Sequence, residues 1–192
     1  RAETAAFTGN ARGWQDNNYV RGHRLTISQK DGRFTAEENV QSLLYEAKRK
    51  ENGVETNPPV FVADQKLSYT RENRHIRYEN NVDIRQGKER ITGGTANIFL
   101  SEDNEPSKTE VEQNVVITQP NRRAAGDYAR YEKASEIVFL QGRPATVDDA
   151  EQGRTQASQI TVNLAENRFA SQGPSKQNPG GRMRSVYKPK SQ

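Results

Sequence analysis

The chain has 192 residues, of which 31% are hydrophobic and 28% charged, with no cysteine and a net charge of +4 at pH 7. Fewer than one residue in five is Leu, Ile, Val or Phe, which excludes a thick globular interior, while the small net charge and regular apolar spacing argue against disorder. The lack of cysteine excludes disulfides, redox motifs and thiolate metal sites, and no apolar run approaches the roughly 18 residues of a membrane-crossing helix.

A pI near 9.3 raises the question of nucleic acid. Residues 173–192 carry Lys176, Arg182, Arg184, Lys188 and Lys190 and no acidic residue, so the rest of the chain is near −1 with both signs interspersed. That distribution offers no basic face for nucleic acid. The chain begins at Arg1 inside what reads as a strand pattern, as expected of a mature or truncated product.

In chain order, residues 5–11 (AAFTGNA) read as a strand end and turn. In residues 19–36, Leu25 and Ile27 alternate with Thr26 and Ser28, Asp31-Gly32 turns the chain, and Phe34 and Ala36 return, which is a hairpin. Residues 36–50 (AEENVQSLLYEAKRK) place Val40, Leu43, Leu44 and Ala47 at helical spacing, whereas the repeat described below makes 40–45 a strand, the reading adopted here. Residues 48–59 form a loop barred from helix by Pro58-Pro59. Residues 60–69 alternate through Phe61, Ala63, Leu67 and Tyr69, and residues 75–84 through Ile76, Tyr78, Val82 and Ile84.

Residues 81–100 (NVDIRQGKERITGGTANIFL) and 114–133 (NVVITQPNRRAAGDYARYEK) share one grammar. Val82 falls on Val115, Ile84 on Ile117, Arg90 on Arg123, Gly93 on Gly126 and Ala96 on Ala129. The first hairpin joins the same repeat, with Ile27 on Ile84 and Phe34 on Ile91. Residues 101–108 form an acidic turn, 136–140 (EIVFL) the most apolar strand, and 146–165 a further hairpin. Residues 173–181 are a Gly/Pro loop, and 182–187 (RMRSVY) read as either a basic tail or a last edge strand. The class is all-β and antiparallel, an array of repeated hairpins.

Catalysis needs a convergent nucleophile, base and orienting group, and with His23 and His75 as the only histidines and no recognised catalytic spacing, the chain does not read as an enzyme. The clusters Glu102-Asp103-Asn104-Glu105 and Asp148-Asp149-Ala150-Glu151 lack the spacing of a calcium loop and read as solvated turns, so no metal or other cofactor is expected. Gly93-Gly94 and Gly126 suit bulges or tight bends. Tyr69, Tyr78, Tyr128 and Tyr131 are packing residues on half-buried strands, and no nucleic-acid partner is expected. What remains is an apolar stripe that points to one side if the repeats keep register. By itself it is compatible with an ordinary closed core.

The run NVDIRQGKERITGGTANI, the segment Gly126-Asp127-Tyr128-Ala129-x-Tyr131, IVFLQGRP at 137–144, QASQITVNL at 156–164 and GGRMRSVYKP at 180–189 together resemble the OstA-like family of lipopolysaccharide-transport periplasmic bridge proteins. FTGNAR at 7–12 is similar to the family's F-x-G-N-V signature, with Ala11 in place of Val. The resemblance covers roughly the last 110 residues, the N-terminal part matching only the general repeat. It implies an elongated, folded-over β-jellyroll, open along one side, with residues 1–59 an N-terminal repeat of the same array, 60–172 the jellyroll core and 173–192 a loop with a C-terminal edge strand. It further implies a periplasmic component that holds the acyl chains of lipopolysaccharide and passes them from an inner-membrane complex to an outer-membrane translocon, with head-to-tail self-association.

On that basis the lipid-binding inner face is expected to comprise Ile27, Phe34, Ile76, Val82, Ile84, Ile91, Ile98, Val115, Ile117, Ile137, Phe139, Ile160, Val162 and Leu164. The joining edge is Arg182, Met183, Arg184, Ser185, Val186 and Tyr187. A one-residue slip would exchange Ile137 and Phe139 for Val138 and Leu140. The alternative function is a structural β-array with a dry core that binds only protein through its edges.

Overall fold

A computed structural model describes residues 3–15, 18–44, 49–51, 54–56, 59–102, 105–163, 168–172 and 184–186. Among them every regular element is a strand. Strands β1 (Thr4–Gln15), β2 (Asn18–Ser28) and β3 (Arg33–Leu44) are followed by a separate small hairpin of β4 (Arg49–Glu51) and β5 (Val54–Thr56). The main sheet resumes with β6 (Val60–Thr70), β7 (His75–Gln86), β8 (Glu89–Leu100), β9 (Pro106–Gln119), β10 (Arg122–Glu132), β11 (Ile137–Asp149), β12 (Gly153–Asn163) and β13 (Arg168–Gln172). Neighbours in the sheet are neighbours in the chain, always antiparallel, and β14 (Arg184–Val186) pairs with β12 beyond the end of β13. Among the described residues β1 pairs only with β2, so the sheet is open and has an edge at each end.

The long strands bend in the middle, and the bends line up. Glu38 and Asn39 in β3, Asn80 and Asn81 in β7, and Gln113 and Asn114 in β9 are consecutive residues with positive φ, a conformation asparagine tolerates better than most side chains. The flanking ladders shift register at these points, between Glu37 and Val40, between Glu79 and Val82, and between Thr92 and Thr95 on the neighbouring strand. In β1 the same place is taken by Gly9, also with positive φ. A bulge repeated at one level on every second strand makes a crease across the sheet, and the strands become two arms joined at the crease.

Cross-strand neighbours fix what each arm buries. On one arm the rungs run Leu25, Ala36, Leu67, Tyr78, Ala96, Val111, Ala129, Leu140, Ile160, and every one is buried. On the other arm they run Val20, Ser42, Val62, Ile84, Ile91, Ile117, Ala124, Val147. Tyr78, Ala36, Val62 and Ile160 are 0% exposed although no helix lies over them among the described residues. A single flat layer leaves one face wet, so such burial requires the two arms to close on each other over their shared inner face. The alternation of large and small residues along the first row lets the facing arms interdigitate.

The strand reading of residues 40–45 holds through Leu44. Val40, Ser42 and Leu44 face inward against Asp64, Val62 and Val60, and this pairing overrides the helical spacing of the same residues; Tyr45 lies outside the described residues. Strand β13 carries only one large apolar residue, Phe169, and has no counterpart in the sequence reading for that reason.

Candidate functional site

The inner face is the one extended apolar surface that the fold assembles, so the expected residues are placed against it strand by strand. Val82, Ile84, Ile98, Val115, Ile160 and Val162 are buried within it. Phe34, Ile76, Ile91 and Ile117 are half-buried and pack on it from the ends of the strands. Ile27 shares the face, opposite Ala5 and Phe34, but is 40% exposed beside β1, the last strand of the sheet among the described residues. Leu164 lies outside the described residues.

Ile137 and Phe139 require correction. They stand on the outer face, opposite Glu132 and Arg130 on one side and Asn163 and Thr161 on the other. The Phe139 ring packs edge-on against Tyr128 at 6.3 Å, with the Arg130 guanidinium 5.5 Å from its centre. Val138 and Leu140 take the inner places, Leu140 almost fully buried against Ala129 and Ile160. The cause is the bulge between Gln141 and Ala145, which flips the phase of alternation along β11, so that Leu140 and Val147, seven residues apart, point the same way.

The same physics acts on β6. Phe61 and Ala63, expected in phase with Leu67 and Tyr69, give way to Val60, Val62 and Asp64, because the register shifts between Ala63 and Lys66. Gly142-Arg143-Pro144 is the one readable signal of the β11 bulge, since proline has no N–H to give the ladder. Along β6 nothing in residue type marks it.

Glycine fixes the crease. On three rungs an apolar residue after the bend faces a glycine: Ala11 opposite Gly22, Val82 opposite Gly93, Val115 opposite Gly126. A Cβ on Gly93 would come within 2.5 Å of Val111 Cγ1, and one on Gly126 within 2.6 Å of the Gln141 carbonyl oxygen. Gly93 and Gly126 are there because the neighbouring strands approach too closely for any side chain. The fourth rung departs from the pattern, with Asp64 opposite Val40.

Asp64 is 4% exposed. Its Oδ2 accepts the Glu79 backbone N–H at 3.4 Å while Oδ1 has no partner. Burial pushes its carboxyl up to about 7, the N–H groups of Glu79 and Lys66 pulling the other way and the Glu79 charge adding to the rise. The Tyr78 and Ser42 hydroxyls are buried and unpartnered as well. Burial also raises the Tyr78 hydroxyl, opposed by Ser42 beside it and reinforced by the Asp64 charge.

The remaining polar groups have structural partners. Asp149 Oδ1 accepts the backbone N–H groups of Glu151 and Gln152, each at 2.9 Å, and Oδ2 accepts Arg122 Nε at 3.0 Å. Burial alone would raise this carboxyl, but those donors prevail and hold it below the usual carboxylate range. It caps the β11–β12 turn. His75 bonds Asn97 at 3.0 Å and stacks on Phe99, on a different strand from the exposed His23. Of the expected joining edge, Arg184, Ser185 and Val186 form β14, opposite Gln156, Thr155 and Arg154, on the same flank of β12 as β13. Arg182, Met183 and Tyr187 lie outside the described residues.

The family profile described as LptA/(LptD N-terminal domain) LPS transport protein matches residues 62–168, more than half of the chain. Among solved structures, the chain is similar to LptH, described as the LptA-homologous periplasmic component of the lipopolysaccharide transport device of Pseudomonas aeruginosa, at 15% identity and a TM-score of 0.59. The likeness covers 69% of this chain and 96% of that one, and at this identity it speaks to the fold. No curated protein matches the sequence.

Proposed function

The chain belongs to the LptA and LptD N-terminal-domain family of lipopolysaccharide transport proteins, and on that premise we propose that its inner face is a trough for the acyl chains of lipopolysaccharide, working in the periplasm between an inner-membrane and an outer-membrane complex. The observation that carries this reading is the pair of mainly apolar rows, one on each arm of the crease, running strand after strand from β2 to β12 on one arm and from β2 to β11 on the other. Burying an acyl chain of about a dozen methylenes gains on the order of 10 kcal/mol, so one chain suffices to hold the lipid out of water. The arms must part to admit it. No chemistry is assigned to the protein; it carries rather than converts.

Residues 3–44 extend the same rows, and we assign them to the same trough rather than to a separate module. Among the described residues no strand lies beyond β1 or beyond β13–β14, which fits head-to-tail addition of another OstA-like sheet at these edges. Photocrosslinking probes at Ile84, Ile117 and Ile160 are expected to capture lipopolysaccharide, and probes at the outward Arg85 and Thr118 are not. Capture only at the outward pair refutes the reading.

The near-complete burial of the central row favours a second reading, a sealed scaffold that binds only protein. It predicts self-association without any lipid binding. Size-exclusion chromatography with and without residues 182–192, alongside a lipopolysaccharide-binding assay, separates the two; an unchanged oligomeric state after truncation removes the edge-pairing claim.

A further inference from the structure

Three polar groups are buried at one joint of an otherwise apolar face: the Ser42 hydroxyl on β3, Asp64 Oδ1 on β6 and the Tyr78 hydroxyl on β7, none with a hydrogen-bond partner. Buried polar atoms are nearly always paired, and each orphan costs free energy that the rest of the fold must offset. Asp64 is the greatest anomaly of the three, because it occupies the rung position that Gly22, Gly93 and Gly126 take elsewhere along the crease.

Its charged neighbours do not neutralise it. On β6 itself the Lys66 ammonium turns to Glu79 at 3.9 Å. From β7, Glu79 is also held by Arg77 at 2.9 Å, and Asp83 is held by Arg85 and Arg90. From β3, Glu37 stands opposite Lys66, and Glu38 is exposed at the bend. The groups facing Asp64 from within are therefore hydroxyls and the backbone N–H groups of Glu79 and Lys66, and the cations around it, Lys66, Arg77, Arg85 and Arg90, are engaged by Glu79 and Asp83 instead.

We propose that Ser42, Asp64 and Tyr78 form a latch on the crease between β3, β6 and β7: with the Asp64 carboxyl neutral the two arms stay closed there, and when the carboxylate forms this segment opens and admits water. The neutral carboxyl is compatible with a dry joint. The ionised one needs more donors than the backbone N–H groups of Glu79 and Lys66 supply, and parting the arms hydrates all three buried groups at once. With its carboxyl held at about 7, Asp64 changes state across the neutral range. On the reading that the inner face takes an acyl chain, this joint is where the arms part to admit it; that clause rests on the proposed function, whereas the latch is a property of the fold.

Hydrogen–deuterium exchange of the full chain at pH 6 and pH 8, corrected for the intrinsic rate, tests the latch. For a closed-state carboxyl titrating at about 7 and an open-state one near its ordinary value, opening of β6 and β7 is expected to rise about tenfold over that interval relative to β9–β11. Asp64→Asn and Asp64→Gly, the latter restoring the glycine of the other rungs, are expected to remove the excess. An equal pH response along the whole sheet, or an excess that survives in both variants, overturns the proposal. Binding of a fluorescent dodecanoyl probe to the same samples tests the trough separately: pH-dependent opening without capture of the probe supports the latch and refutes the acyl-chain reading.

Discussion

The rungs Val82–Gly93 and Val115–Gly126 and the rung Val40–Asp64 occupy equivalent places on one crease, yet they solve the bend differently. At the first two the neighbouring strands leave no room for a Cβ, and the joint is shut by contact. At the third a side chain is present, and it is an acid with an unsatisfied oxygen. The comparison teaches that the fold's repeat resides in backbone geometry at the bend rather than in the residue that fills it, and that of the three rungs only the one between β3 and β6 buries a titratable side chain.

The largest expected effect bears on that third rung. Unfolded, Asp64 ionises near 3.8; folded, it holds its proton to about 7. Well below pH 3.8 both states are protonated and the ionisation of Asp64 costs no stability. As pH rises towards 7 only the unfolded state releases its proton, so stability falls, and above that the full cost remains. The gap corresponds to about 4 kcal/mol at most, read as the loss of unfolding free energy between pH 4 and pH 8 in the wild type minus that in Asp64→Gly. A difference near zero would remove the contrast between the rungs.

Core truncation comes next. Leu140→Ala is expected to cost about 3 kcal/mol in denaturant unfolding, against about 1 kcal/mol or less for Phe139→Ala, which strips only an outer-face ring. Equal losses would mean that the β11 bulge is misplaced. Gly126→Ala is expected to cost about 2 kcal/mol, because its Cβ meets a backbone carbonyl rather than a movable side chain. A neutral result would show that the crease is looser than the glycine rungs imply. Arg122→Ala, far from the crease, is expected to cost only about 1 kcal/mol, since two backbone N–H groups still hold Asp149.

The sequence carried the fold class and most of the inner face, and the reason is visible in particular residues. Val82, Ile84, Val115 and Ile117 repeat at one spacing, and the structure sets Ile84 and Ile117 on one row through Ile91 and Val82 and Val115 at equivalent places on the crease, each opposite a glycine. What period-two reading cannot carry is a change of phase. On β8, Ile91 takes its place from its match with Phe34, and the register shift between Thr92 and Thr95 sets Ile98, seven residues on, on the same face. On β11 no second copy anchors residues 137–140, so period-two alternation leaves both phases open, and the bulge between Gln141 and Ala145 selects the one with Val138 and Leu140 inward. Val62 was lost in the same way on β6. Asp64 is invisible for another reason: alternation through Phe61, Ala63 and Leu67 puts an acid at 64 on the outer face, and only the tertiary rung reveals it in a glycine's place.

The central claim, that the inner face holds acyl chains, is tested most directly on two adjacent residues of β11. Photocrosslinking probes at Leu140 and Phe139 differ by one position along the chain and by the full thickness of the sheet. Incubated with lipopolysaccharide, the chain is expected to be captured through position 140 and not through position 139. Equal labelling at both positions, or labelling at 139 alone, would contradict the trough.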